Sequence, residues 1–161
     1  MSAAANFTAQ EWDLLRGLPF VVAGIALAEA HPGAIKAVKT GLSIYPIVRD
    51  TSKQFPANEC IQAIMVSHGE NHMEVNEQHE GDGLEAASAL RNEMCERASS
   101  ILNEKCQPEE TAGYKQWLLK IASETMHKAH SYGFLGLGKK RAEAEIAQAL
   151  QAFAQILQIT E

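Results

Sequence analysis

The sequence predicts an all-α fold: a single domain in which about six helices pack in a bundle-like or orthogonal arrangement. Three observations carry this expectation. Apolar residues recur at helical spacing along most of the chain, and no segment alternates with the period of two that marks a half-buried strand. Alanine is abundant while aromatic residues make up only 6%, a composition that suits close-packed helices better than a sheet sandwich. With 161 residues, 46% of them hydrophobic and 21% charged, the chain has the length of one domain and enough apolar surface for one core. Residues 1–161 are accordingly read as one helical domain, with 1–7 as a flexible N-terminus.

The first helix opens at Thr8-Ala9-Gln10-Glu11. This spacing is a capping box, in which threonine accepts the amide three residues on and glutamate reaches back. Phe7, just ahead of it, is placed to act as the hydrophobic staple. Trp12, Leu15, Leu18, Val22, Ile25 and Ala26 follow at helical spacing, and Pro19 predicts a kink or a break at Gly17 to Pro19. His31-Pro32-Gly33 is a stop signal. A second helical pattern runs from Ala34 to Lys53 on Ile35, Val38, Leu42, Tyr45 and Val48, weakened by Gly41 and Pro46. After Phe55-Pro56 a third takes Ala57, Ile61, Ile64, Met65, His68, His72 and Val75 on one face. The polar, glycine-rich run Glu77 to Gly83 predicts a surface loop.

A fourth helix spans about Leu84 to Cys106, with Ala87, Leu90, Met94, Ala98 and Ile101 as its buried stripe. Pro108 begins the fifth, where Glu109 and Glu110 suit the positive end of the helix dipole. Its buried side is Trp117, Leu118, Ile121, Thr125, Ala129 and Tyr132, which leaves His127 and His130 facing away. The sixth, from about Lys140 to Leu157, has the cleanest stripe: Ala142, Ile146, Ala149, Leu150, Phe153, Ile156 and Leu157.

A formal net charge of -6 and a pI of about 5.5 repel phosphate backbones and anionic lipid heads, so neither nucleic acid nor a membrane surface is an expected partner. Cys60, Cys95 and Cys106 form no Cys-x-x-Cys pair and are odd in number. They fit a reducing cytoplasm in which thiols serve as small apolar residues. Met1 to Asn6 lacks the basic region of a secretory signal, and the apolar run Leu18 to Ala28 is too short to cross a bilayer, which takes about 20 residues.

Two stretches carry candidate chemistry. On a helix, His68 and His72 stand one turn apart with both imidazoles on one side, the arrangement of many two-histidine sites for a divalent transition metal. They fall on the apolar stripe, where burial demands hydrogen-bond partners or a metal. His127 and His130 form a second, solvent-facing pair beside Glu124. The other stretch is Gly133-Phe134-Leu135-Gly136-Leu137-Gly138-Lys139-Lys140-Arg141. Gly136, Gly138, Lys139, Lys140 and Arg141 at a helix start offer amides and cations to a small anion. The stretch follows a helix rather than the strand that precedes a nucleotide loop. It therefore reads first as a joint in which Gly133 ends the fifth helix while Phe134 and Leu135 plug the core. No complete catalytic constellation is present.

The segments Glu11-Trp12-Asp13-Leu14-Leu15 and Pro19-Phe20-Val21-Val22, with Trp117-Leu118-Leu119-Lys120-Ile121-Ala122, Gly133 to Gly138 and the helix from Glu143 to Leu150, resemble a group of small uncharacterised bacterial all-helical proteins. A remoter similarity is to the tellurite-resistance B-like helical proteins. The resemblance implies a fold more than a function. The leading expectation is a non-enzymatic cytoplasmic helical module that binds another protein or itself, with stress handling as its setting. The rivals are a metal-binding protein using His68 and His72 and a binder of small anionic ligands at 133–141.

Overall fold

The structure, a computed structural model, describes residues 3–30, 44–70, 83–132 and 139–159. Among them a 3-10 turn at Ala3–Asn6 precedes six α-helices: α1 (Ala9–Ala30), α2 (Ile44–Ser52), α3 (Glu59–Glu70), α4 (Gly83–Lys105), α5 (Pro108–Tyr132) and α6 (Lys139–Ile156). The chain is all-α, as its apolar periodicity requires. α1 and α5 pack against each other at the centre, α4 lies on α1, and α2 and α6 flank α5. One core runs through all six helices, with Leu15, Leu18 and Val22 of α1 meeting Ile61 and Ile64 of α3, Leu102 of α4 and Trp117 and Ile121 of α5. Burying a side chain of this kind contributes about 1.5–3 kcal/mol. None of the described helices is long and apolar enough to cross a membrane.

The capping box forms at the start of α1. Glu11 N donates to Thr8 Oγ1 at 3.2 Å, and Thr8 N donates to Glu11 Oε2 at 2.7 Å. Phe7 stacks on Trp12 with ring centres 5.9 Å apart, which is the staple. Lys105 Nζ lies 2.6 Å from Glu11 Oε2 and ties the end of α4 to the start of α1. That lysine is the main reason the Glu11 carboxyl sits below its ordinary pKa.

A break at Gly17 to Pro19 does not occur, because α1 runs through Pro19 as one helix. Proline has no amide to give the carbonyl of residue 15. The hydroxyl of Tyr114, itself buried on α5, donates to the Leu15 carbonyl at 2.8 Å instead. One residue on, the Arg16 carbonyl takes the ring nitrogen of His68 from α3 at 2.9 Å. Side chains of two other helices thus hold the carbonyls at the proline, and the helix continues.

In α2, Pro46 falls in the first turn, where amides have no partner within the helix, so it does not weaken the helix as a mid-helix proline does. Ile35, Val38 and Leu42, expected on the same helix, lie outside the described residues. The Thr51 hydroxyl donates to the Ile47 carbonyl at 2.7 Å and accepts the indole hydrogen of Trp117 at 3.1 Å, locking α2 to α5. α3 starts later than Ala57. Asn58 is its cap, accepting the Ile61 amide at 3.0 Å, and Ala57 is left exposed in the turn. Ile61, Ile64 and His68 are buried as the stripe predicts, while His72 and Val75 lie outside the described residues.

The buried stripe of α4 is a correction. Arg91, Cys95, Ala98 and Leu102 face the core. Of the expected stripe only Ala98 is fully buried, and Leu90 is exposed. The seam is turned by less than one residue's step around the helix because Arg91 finds partners there. Its Nη1 lies 3.0 Å from Glu29 Oε1 of α1, and its guanidinium sits 4.8 Å over the Phe153 ring of α6. α5 buries Trp117, Leu118, Ile121, Thr125 and Ala129 as expected, α6 buries Ile146 and Phe153, and Leu157 is buried just past its end. α6 ends with Gln158 in the left-handed region at φ 56°, and the Ile159 amide donates back to the Ala154 carbonyl at 3.0 Å. This is a Schellman ending without its usual glycine.

Candidate functional site

His68 is 4% exposed. Its ring meets the edge of Phe20 at 4.6 Å between centres, and Phe20 stacks in turn on Tyr45 at 6.4 Å. The carbonyl of Arg16 can only accept, so His68 Nε2 carries the hydrogen of their 2.9 Å bond and the neutral ring keeps its lone pair on Nδ1. Burial pushes the His68 pKa below 6.5, and the Arg16 guanidinium acts in the same direction against the opposing effect of the carbonyl bond. The imidazole is therefore neutral, and one of its nitrogens is committed to the backbone beside Pro19. A metal ion at this position has only Nδ1 to bind. Among the described residues, no group of three His, Cys, Asp or Glu side chains gathers that could hold a metal. Arg16 Nε, close by, is buried with no hydrogen-bond partner among the described residues.

His127 is exposed on α5, and its Nδ1 donates to the Ser123 carbonyl of its own helix at 2.7 Å. Glu124 Oε1 lies 3.5 Å from Lys120 Nζ. The His130 side chain, residues Gly133 to Gly138 and the side chains of Lys139, Lys140 and Arg141 lie outside the described residues. The three cysteines are free thiols. Burial pushes Cys60 and Cys95 up to about 12 and raises Cys106 as well. Protonated thiols of this kind are poor nucleophiles at neutral pH.

Three features were not singled out by the sequence. One is the polar cluster between α1 and α4, where Glu29 Oε1 accepts from Arg91 Nη1 at 3.0 Å and from Ser88 Oγ at 3.2 Å. Its members lie 59 and 62 positions apart, so no local pattern announces it. The second is a pair of clefts. A small polar one of about 120 Å³ between α2 and α5 includes Asp50, Glu124 and Lys128. Hydrogen bonds from Arg49 and Lys53 hold the Asp50 carboxyl down at about 2. A larger one of about 290 Å³ lies between the α2–α3 connection and the start of α5. The third is the outward side of the first half of α4. Leu84 is 41% and Leu90 45% exposed, with Ala86 and Ala89 exposed between them. Comparison with protein-family models, with curated proteins and with solved structures found no match.

Proposed function

We propose that this chain is a non-enzymatic helical module that works by binding another protein or a second copy of itself, through the outward side of the first half of α4. The observation that supports this reading is the exposure of two leucines, Leu84 and Leu90, in the first half of α4. Met94 and Ile101, on the side of α4 that carries Leu90, are packed against the core further along. Apolar side chains left outward along a helix are the means by which helices dock on one another. The polar groups that sequence nominated for chemistry and the structure describes are engaged by the backbone: His68 by Arg16 and His127 by Ser123.

Three free thiols fit a cytoplasmic setting, and the charge of -6 disfavours nucleic acid.

The test is light scattering after size exclusion, combined with a photo-crosslinking residue at Ala86. Association that is lost in a Leu84→Glu, Leu90→Glu double variant, or a specific adduct at position 86, supports the reading. A monomer at every concentration with no adduct in cell extract removes it.

A further inference from the structure

The larger cleft is built from parts fixed by side-chain hydrogen bonds. Gln62 Nε2 donates to the Ser52 and Phe55 carbonyls at 3.2 and 3.0 Å, which holds the connection between α2 and α3. Asn58 caps α3 through Oδ1 and reaches α5 through Nδ2, which donates to the Glu110 carbonyl at 2.9 Å. Gly113 makes that reach possible, since a Cβ there would lie 2.7 Å from Asn58 Nδ2. One wall of the cleft is apolar, formed by Phe55, Pro56 and Ala57, the last two exposed. The start of α5 adds Glu109 and Glu110 to the lining, and among the described residues no cation lines the cleft. Neither glutamate has an ion-pair partner among the described residues. Carboxylates in the first turn of a helix are favoured by its dipole, which accounts for their tolerance there.

An apolar wall and two glutamates without an ion-pair partner among the described residues, lining one cleft of about 290 Å³, are complementary to a side chain pair of opposite character. We propose that this cleft docks a peptide segment of a partner protein in which an apolar residue adjoins lysine or arginine, the apolar side chain lying on Phe55 and Pro56 and the cation meeting Glu109 and Glu110. The cleft is preorganised, because Asn58 and Gln62 hold its shape before any ligand arrives, so little ordering opposes binding. The inference rests on the protein-interaction reading but uses a face other than α4.

The experiment is a titration of the 15N-labelled full chain with the capped peptide acetyl-Leu-Lys-Lys-amide, compared with acetyl-Leu-Glu-Glu-amide. The expected result is a saturable shift of the Ala57 and Gly113 amides and of the Asn58 side-chain amide with the basic peptide only. Binding should weaken as salt is raised and weaken roughly tenfold in a Glu109→Gln, Glu110→Gln double variant. The amide spectrum of the variant shows whether the fold is kept. If the variant loses its fold, a Lys-to-norleucine peptide on the wild-type chain makes the same comparison. Absent shifts at these positions, equal binding of the acidic peptide, or an affinity indifferent to removing the charge on either side overturns the proposal. Failure here leaves the α4 reading untouched, since that reading is judged by association and by crosslinking at Ala86.

Discussion

Tyr114→Phe isolates the device that carries α1 through its proline. The substitution removes one oxygen and leaves the ring in place against Trp117, 5.9 Å away between centres. The Leu15 carbonyl then loses its 2.8 Å partner inside the core, and Pro19 cannot replace it. A buried carbonyl left without a donor costs about 1–3 kcal/mol. With urea dependence typical of small domains, that lowers the unfolding midpoint by about 1 M. The informative comparison is the double-mutant cycle with Pro19→Ala, which returns an amide donor to the same carbonyl. In the alanine background Tyr114→Phe should cost at least about 0.5–1 kcal/mol less than in the wild type, a coupling beyond the few tenths expected of independent sites. Strict additivity in equilibrium urea unfolding followed by circular dichroism would refute the idea that the tyrosine hydroxyl substitutes for the missing amide.

Other perturbations have equally definite outcomes. Because the folded-state pKa of His68 lies below its ordinary 6.5, the neutral ring stabilises the fold fully above about pH 6.5. That contribution is lost as pH falls from there toward the lowered value. Thermal unfolding of the wild type against a His68→Gln variant should reveal this acid-side loss in the wild type alone. Gly113→Ala, which would gain helix propensity at an open site, should instead destabilise by about 1–2 kcal/mol, since the new methyl displaces an Asn58 held by two hydrogen bonds. Chemical denaturation gives the sign directly. Gln158→Gly should stabilise by about 0.5–1 kcal/mol by relieving the left-handed residue after α6, visible as a raised melting temperature. Thr51→Val should cost about 1–3 kcal/mol, as the Trp117 indole loses its buried acceptor, a change that urea unfolding followed by tryptophan fluorescence will detect.

How much of this was legible in the sequence differs from element to element, for physical reasons. The start of α1 was readable to the atom, because the capping box and the staple are local and their partners lie within five residues. The buried face of α5 was readable because its apolar residues repeat without competition. The seam of α4 was not. An arginine reads as solvent-facing until Glu29 and Phe153, remote in sequence, are seen around it. At Pro19 a kink or a break is expected, and the break is averted because another helix brings a donor to the exposed carbonyl, from Tyr114, 99 positions away. His68 was correctly placed on the buried stripe, but its partner proved to be a backbone carbonyl, which no residue pattern can announce. The larger cleft depends on Gly113 and Asn58 meeting between α3 and α5, and local spacing carries no sign of that meeting.

The central claim is that the buried histidine belongs to the fold, with its Nε2 held by the Arg16 carbonyl. Nitrogen chemical shifts of the His68 ring at neutral pH, recorded with and without one equivalent of zinc, test it most directly. A neutral ring with its hydrogen on Nε2, unmoved by zinc, is the predicted result. A hydrogen on Nδ1, a charged ring, or a zinc-dependent shift would contradict it.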